Sequence, residues 1–232
     1  MEGTAKGAAA KAIDKLKNRF VAPKKEEIDD SVSLAALLAP GDDEGRFDQN
    51  KGATIAGYVI DAKVGGIETC NCRAKDPIDR DTHIEMGFDK KVPNTQKVIV
   101  EVTPRIRAQM KAKGEDWSTE ALCKALKGKW IELTGWLLFD APHIGNAENT
   151  HPGGPKNWRA TCWEIHPITS IKVVGEPPAN TPILHPDILA AFHKTHAQHF
   201  QRDADRKKQT LLRNSMIVGR FDKEDLDEDL PK

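Results

Sequence analysis

The chain has 232 residues, 38% of them hydrophobic and 30% charged, and its 35 basic and 35 acidic side chains cancel to a formal net charge of zero. That balance excludes a protein that grips duplex nucleic acid over its whole surface, and it leaves nucleic-acid binding to a local patch. The longest apolar run, residues 34–39, is far short of the roughly 18 residues of a membrane-spanning helix, and no apolar stretch follows the first lysines to make a secretory signal; a cytoplasmic protein that engages no membrane is expected.

Residues 4–20 read as an Ala/Lys helix with Ala9, Ile13, Leu16 and Phe20 on one stripe. A charged break at 24–30 follows, then a short helix capped by Ser31 and stopped by Pro40 and Gly41. Residues 41–51, rich in Asp, Glu and Gly, read as a mobile linker, so the folded core is expected to begin near Ala53. Strand-like stretches succeed one another at 53–64, 82–87, 97–103, 129–139 and 158–174, with one short helix, 118–126, between the third and the fourth. A helix at that point in a five-strand series is the connectivity of an OB-type barrel, where it caps the open end. Pro177 and Pro178 mark a second linker, a helix is predicted from Asp187 to about Arg213 with His193, His196 and His199 three apart, and the acidic end from Asp222 reads as disordered. The expectation is an α+β protein: a helical arm and linker at 1–52, a five-stranded OB-like β-barrel at 53–174, and a linker, helix and acidic tail at 175–232. Cys70, Cys72, Cys123 and Cys162 lack the spacing of a zinc knuckle and read as reduced, partly buried thiols.

Strand side chains alternate, so each stretch splits into two rows. Val98, Val100 and Val102 face inward, as do Thr82, Ile84 and Met86, and Ile131, Leu133, Leu137 and Phe139, with Gly135 where a barrel strand must bend. The opposite rows carry Asp81, His83 and Glu85, then Glu101, then Glu164 and His166. The second, third and fifth strands of an OB barrel are neighbours, so His83, Glu85, Glu101, Glu164 and His166 are expected on one continuous, solvated outer face. Imidazoles and carboxylates together suit a divalent zinc, manganese or iron ion. His83, Glu101, Glu164 and His166 are the candidate ligands, with His143 as an addition from the loop after the fourth strand, and Glu85 or Asp140 is the candidate base beside a metal-bound water.

A second set of residues points elsewhere. Arg105 and Arg107 follow the third strand, Lys129 follows the cap helix, and Arg159 precedes the fifth strand. Trp130, Trp136 and Trp158 are expected outside, as platforms on which bases of a single strand stack. Arg105, Arg107, Lys129, Trp136 and Arg159 are therefore the candidate nucleic-acid contacts.

The segments DTHIEM (81–86), KVIVEVTPR (97–105), GKWIELTGWLLFDAPH (128–143) and WEIHPITSI (163–171) resemble a bacterial family of small OB-like proteins without a known activity. Its members show an Asp-x-His-aliphatic strand, an aliphatic strand ending in Glu, a V-x-V-T-G strand leading to an aromatic-Asp-x-x-His turn, and a closing Glu-aliphatic-His-Pro. The resemblance covers about half of the chain and marks Asp81, His83, Glu101, Asp140, His143, Glu164 and His166. RDTHIEM and LLFDAPH are also similar to short phrases of thermonuclease-like OB enzymes. Three functions follow as expectations: a binding module for single-stranded nucleic acid or a partner protein, a metal-dependent hydrolase acting through the His/Glu set, or an assembly protein docking a partner through its terminal helices.

Overall fold

Alternation of branched apolar and polar residues over GATIAGYVIDAKV makes a 13-residue strand, β1 (Gly52–Val64), long enough to serve two neighbours. Its first half pairs antiparallel with β4 (Trp130–Phe139), from Gly52↔Trp136 to Tyr58↔Trp130. Its second half pairs antiparallel with β2 (Thr82–Gly87), and a register shift between Val59 and Asp61 bends the strand from one partner to the other. β2 continues antiparallel to β3 (Val98–Val102), which runs parallel to β5 (Trp163–Val174) through Val100↔Ile165. β5 closes on β4, so the order β1-β2-β3-β5-β4 is a closed, mixed five-stranded barrel. This computed structural model describes residues 3–175; the expected second linker, the late helix with its three histidines and the acidic tail lie outside the described residues.

Ile55, Val59, Ile84, Met86, Val98, Val100, Val102, Ile131, Leu133, Leu137, Ile165 and Ile168 fill the interior. Each such aliphatic side chain contributes about 1.5–3 kcal/mol by leaving water. At Gly135 of β4 a Cβ would stand 2.4 Å from the Pro167 carbonyl oxygen of β5, so only glycine fits the bend.

Two helices, not one, connect β3 to β4. Thr103 caps α3 (Pro104–Ala112), accepting from the Ile106 amide, and Pro104 occupies its first turn. Ser118 caps α4 (Thr119–Leu126), whose Leu122 and Leu126 are buried against the barrel. The final strand also starts later than expected: residues 158–162 form a loop on the way to β5.

The N-terminal residues are built onto the barrel. In α1 (Ala8–Lys17) the buried positions are Ala10, Asp14 and Lys17, while Phe20 lies beyond the helix and is 51% exposed; the expected Ala9–Phe20 stripe is displaced round the helix. Ser33 rather than Ser31 caps α2 (Leu34–Leu38), and its Leu34 and Leu37 join the core. Residues 41–51 are tied down instead of forming an open linker. The Arg46 guanidinium donates to the Ala36, Ala39 and Gly41 carbonyls, and Trp163 Nε1 donates to the Asp43 carbonyl. Among the described residues no helix is long and apolar enough to cross a membrane.

Candidate metal centre

The alternation that turns Ile84, Val100 and Ile165 inward turns His83, Glu101, Glu164 and His166 to the outer side of the wall. His83 stands opposite Glu101 in the β2–β3 ladder, and β5 brings Glu164 and His166 to the other edge of β3. The four come together outside the barrel, yet the solvated face expected there is absent: they are 3%, 2%, 2% and 0% exposed, respectively. Three pieces of chain cover them. α1 contributes Lys17, the loop after β1 contributes Glu68 and Cys70, and the segment between β4 and β5 contributes Asp140, His143, Trp158 and Arg159.

Glu101 Oε1 lies 2.8 Å from His83 Nδ1, and Glu101 Oε2 and Glu164 Oε2 each lie 3.3 Å from His166 Nδ1. On its other side the His166 ring places Nε2 3.8 Å from Asp81 Oδ2. Arg159 donates to Glu164 Oε1 at 2.7 Å and reaches Asp140 Oδ2 at 3.5 Å, while His143 Nδ1 sits 2.6 Å from Asp140 Oδ2. Lys17 Nζ donates to Glu68 Oε2 at 2.5 Å and stands 3.6 Å from Asp140 Oδ1. Cys70 Sγ donates to Glu68 Oε2 at 3.2 Å, and Asn71 donates to Asp81 Oδ2 at 2.8 Å. Trp158 packs its ring 5.8 Å from that of His83 and 5.3 Å from that of His143, closing the cluster from outside.

Charge is unbalanced in this space. The five buried carboxylates Glu68, Asp81, Glu101, Asp140 and Glu164 outnumber the three permanent cations Lys17, Arg159 and Arg107, the last acting on Asp81, and the three imidazoles of His83, His143 and His166 stand among them. Removing each ion from water costs several kcal/mol unless it is compensated, so the acid excess calls for protons or for a cation. The acids divide accordingly. Burial raises the Asp81 carboxyl above its usual range, only partly opposed by His166 and Lys17. Burial acts on Asp140 in the same direction, but Lys17, His143 and Arg159 together overcome it and hold that carboxylate well below the usual range. Burial tends to strip Arg159 of its proton, and Glu164 and Asp140 more than reverse this, fixing its charge.

The donor set fits a divalent ion. One oxygen each from Asp81 and Glu101 and one nitrogen from His166 lie within 4.8 Å of one another, as do donors from Glu68, Cys70 and Asp81. Tetrahedral zinc with bonds near 2.05 Å needs donors about 3.4 Å apart, within reach of small side-chain rotations. Glu68 is already taken by Lys17 and Cys70, which makes the Asp81–Glu101–His166 group the better cradle. Within it, Asp81 Oδ1 and His166 Nε2 are fully buried and have no hydrogen-bond partner among the described residues. Such atoms cost about 1–3 kcal/mol each when left unsatisfied.

The other expected site residues fall differently. Glu85 is paired with Lys63 at 2.8 Å and Lys97 at 2.7 Å; burial raises its pKa, but the two ammonium groups dominate and bring it down to about 2, so it is a fixed anion and a poor base. Asp140 is likewise a fixed anion and serves to orient His143. Arg107 and Arg159 are not available to nucleic acid: Arg107 is buried with its guanidinium on Thr82 Oγ1 and the Ile78 and Arg80 carbonyls, and Arg159 is 0% exposed. Trp130 and Trp158 are buried rather than free platforms, Trp130 lying edge-on to Tyr58. Lys129 is exposed in the turn before β4, and Arg105 and Trp136 line a separate cleft. Sequence reasoning missed Lys17, Glu68 and Cys70 as members of the cluster and left Asp81 out of the ligand set. The available signal was an Asp14–Lys17 pair spaced one helical turn apart on the flank of an apolar stripe. Comparison with models of protein families and with curated proteins gives no match to this chain.

Proposed function

We propose that this chain is an OB-type barrel protein that binds one divalent transition-metal ion through Asp81, Glu101 and His166. The observation that carries the reading is the pair of buried atoms without a hydrogen-bond partner among the described residues, Asp81 Oδ1 and His166 Nε2, inside a space with surplus carboxylate charge. The OB assignment is supported by the strand order β1-β2-β3-β5-β4 with helices between β3 and β4. The seven positions marked by the family resemblance all belong to this one cluster, which favours a shared chemical purpose over scattered ion pairs. Oxygen and imidazole donors suit zinc, manganese or iron.

The reaction class that such an ion serves is hydrolysis, by activation of a bound water. His83, held by Glu101, and His143, held by Asp140, are the side chains placed to carry a proton. Because Lys17, Glu68 and Trp158 lie over the donors, a substrate enters only when this cover shifts; metal binding is therefore the primary function and hydrolysis the one it makes accessible.

Elemental analysis of the purified full chain tests the reading. About one zinc, manganese or iron per chain is expected, and Asp81→Asn and His166→Gln should each weaken binding by about tenfold or more while circular dichroism stays that of the parent. Calorimetric titration of chelator-treated parent protein covers the case in which the variants do not fold. No uptake of any of the three ions by the parent protein would overturn the proposal.

A further inference from the structure

The flank of α1 that does not face the metal cluster opens onto a cleft of about 660 Å³. Lys11 and Lys15, one turn apart on that helix, line it together with Arg19, Phe20, Arg105 and Trp136. Four of these six side chains are cationic and two are aromatic, and no carboxylate lines the cleft among the described residues. The acid of the same helix, Asp14, is buried and accepts from Thr69 Oγ1 and the Ala5 amide. Lys11 and Lys15 are exposed and stand in no ion pair among the described residues. Arg105 gives one nitrogen to the Asn18 carbonyl, and its Nη2 is buried with no hydrogen-bond partner among the described residues.

Trp136 and Arg19 are held in place by contacts with the rest of the fold. Trp136 donates from Nε1 to the Val21 carbonyl at 2.7 Å, and the Arg19 guanidinium lies 4.8 Å from the centre of its ring. Arg19 is itself fixed by the Leu16, Gln49 and Leu137 carbonyls. Beside them Phe20 and Val21 are 51% and 64% exposed, an apolar edge next to a row of cations. A ligand matching both halves carries negative charge at one end and a flat apolar ring at the other. Sites of about 300–1,000 Å³ enclose small organic ligands.

We infer that this cleft binds a nucleoside monophosphate unit, with its phosphate against Lys11, Lys15 and Arg105 and its base against Phe20 and Trp136. The unit comes either as a free mononucleotide or as one member of a single strand, and the chemistry of recognition is the same. A phosphate needs charge and donors, both supplied by the two lysines and Arg105, while every base offers a face for stacking whatever its sequence. The site involves none of the proposed metal ligands, so it stands or falls independently of the ion.

Fluorescence anisotropy of the full chain with a labelled thymidine oligomer of about ten nucleotides, at about 50 mM salt with EDTA present, is the test. The affinity should fall as salt rises, and the exposed-site variant Lys11→Glu with Lys15→Glu should lose about tenfold or more and flatten the logarithmic salt slope by about 1.4. Phe20→Ala should cost about tenfold with the slope unchanged. Competition by thymidine monophosphate separates the two sources: displacement at a comparable concentration assigns a mononucleotide site, and much weaker displacement assigns a strand. Absence of binding, equal displacement by inorganic phosphate or by an oligoglutamate peptide, or full affinity in the double lysine variant would overturn the inference.

Discussion

Glu44 shows how a side chain from a stretch that reads as open linker acquires a titration of consequence. Burial, then the neighbouring charges of Asp42 and Asp43, raise its pKa from 4.5 to about 7, and its Oε2 is buried without a hydrogen-bond partner among the described residues. A folded-state pKa above the unfolded one means that the group favours the fold below the unfolded pKa and that this advantage is lost as pH rises through the folded value. At pH 8 the carboxylate is charged in an unfavourable place, whereas below about 5 it is protonated and harmless. Glu44→Gln is therefore expected to stabilise the protein at pH 8 and to change little at pH 5. The gain is about 1 kcal/mol once solvent screening of a half-exposed group is allowed for, or about 2–4 °C in Tm. Thermal melts at the two pH values decide it, and an equal shift at both would show that the charge is not the cause. The types of residue at 83, 101, 164 and 166 were readable as potential ligands from the chain alone, because alternation sets their side of the wall. Their burial was not, since it depends on segments far away in sequence: Lys17 and Glu68, 51 positions apart, meet over the same face.

At the scale of elements, legibility followed periodicity. The β4 pattern sets Ile131, Leu133, Leu137 and Phe139, all four in the core, against Glu132, Thr134 and Trp136, with Trp130 and Leu138 apolar on the second row near the strand's ends. α3 escaped because its residues, PRIRAQMKA, show little apolar stripe, although Thr103 and Pro104 are an ordinary start signal. α1 was readable as a helix but not as to its docking side, because two charged residues, Asp14 and Lys17, occupy the buried flank. Charge on a buried flank makes sense only when partners are waiting, as Thr69, Glu68 and Asp140 are here. Lys17→Met keeps much of the side-chain volume while deleting the ammonium that two carboxylates share. Leaving those acids uncompensated should cost about 3–5 kcal/mol, measured as a shift of the urea midpoint with the slope unchanged. A variant as stable as the parent would mean that the ammonium contributes nothing net to docking α1.

For the whole molecule, the ionic cluster is the place where the N-terminal arm, the loop after β1, the β4–β5 segment and the barrel wall all touch. An arm that composition alone sets apart at 1–52 is thus continuous with the barrel, its Leu34 and Leu37 in the core and its Lys17 over the site. This arrangement would couple binding of the proposed ion to global stability. The cradle draws on Asp81, just before β2, on β3 and on β5, and it lies beneath α1 and the loop carrying Glu68, so an unfolded chain has no preformed equivalent. An ion present at about 100 times its Kd then stabilises the native state by about 2.7 kcal/mol, which for a protein of this size is about 5–10 °C in Tm. Scanning fluorimetry of the chelator-treated chain with zinc, manganese or iron should show that rise, EDTA should reverse it, and Asp81→Asn combined with His166→Gln should abolish it. An equal rise in the double variant would place the ion elsewhere on the protein. No rise in the parent would mean that the surplus acids are accommodated without an ion, and the cluster would then be a purely structural set of ion pairs.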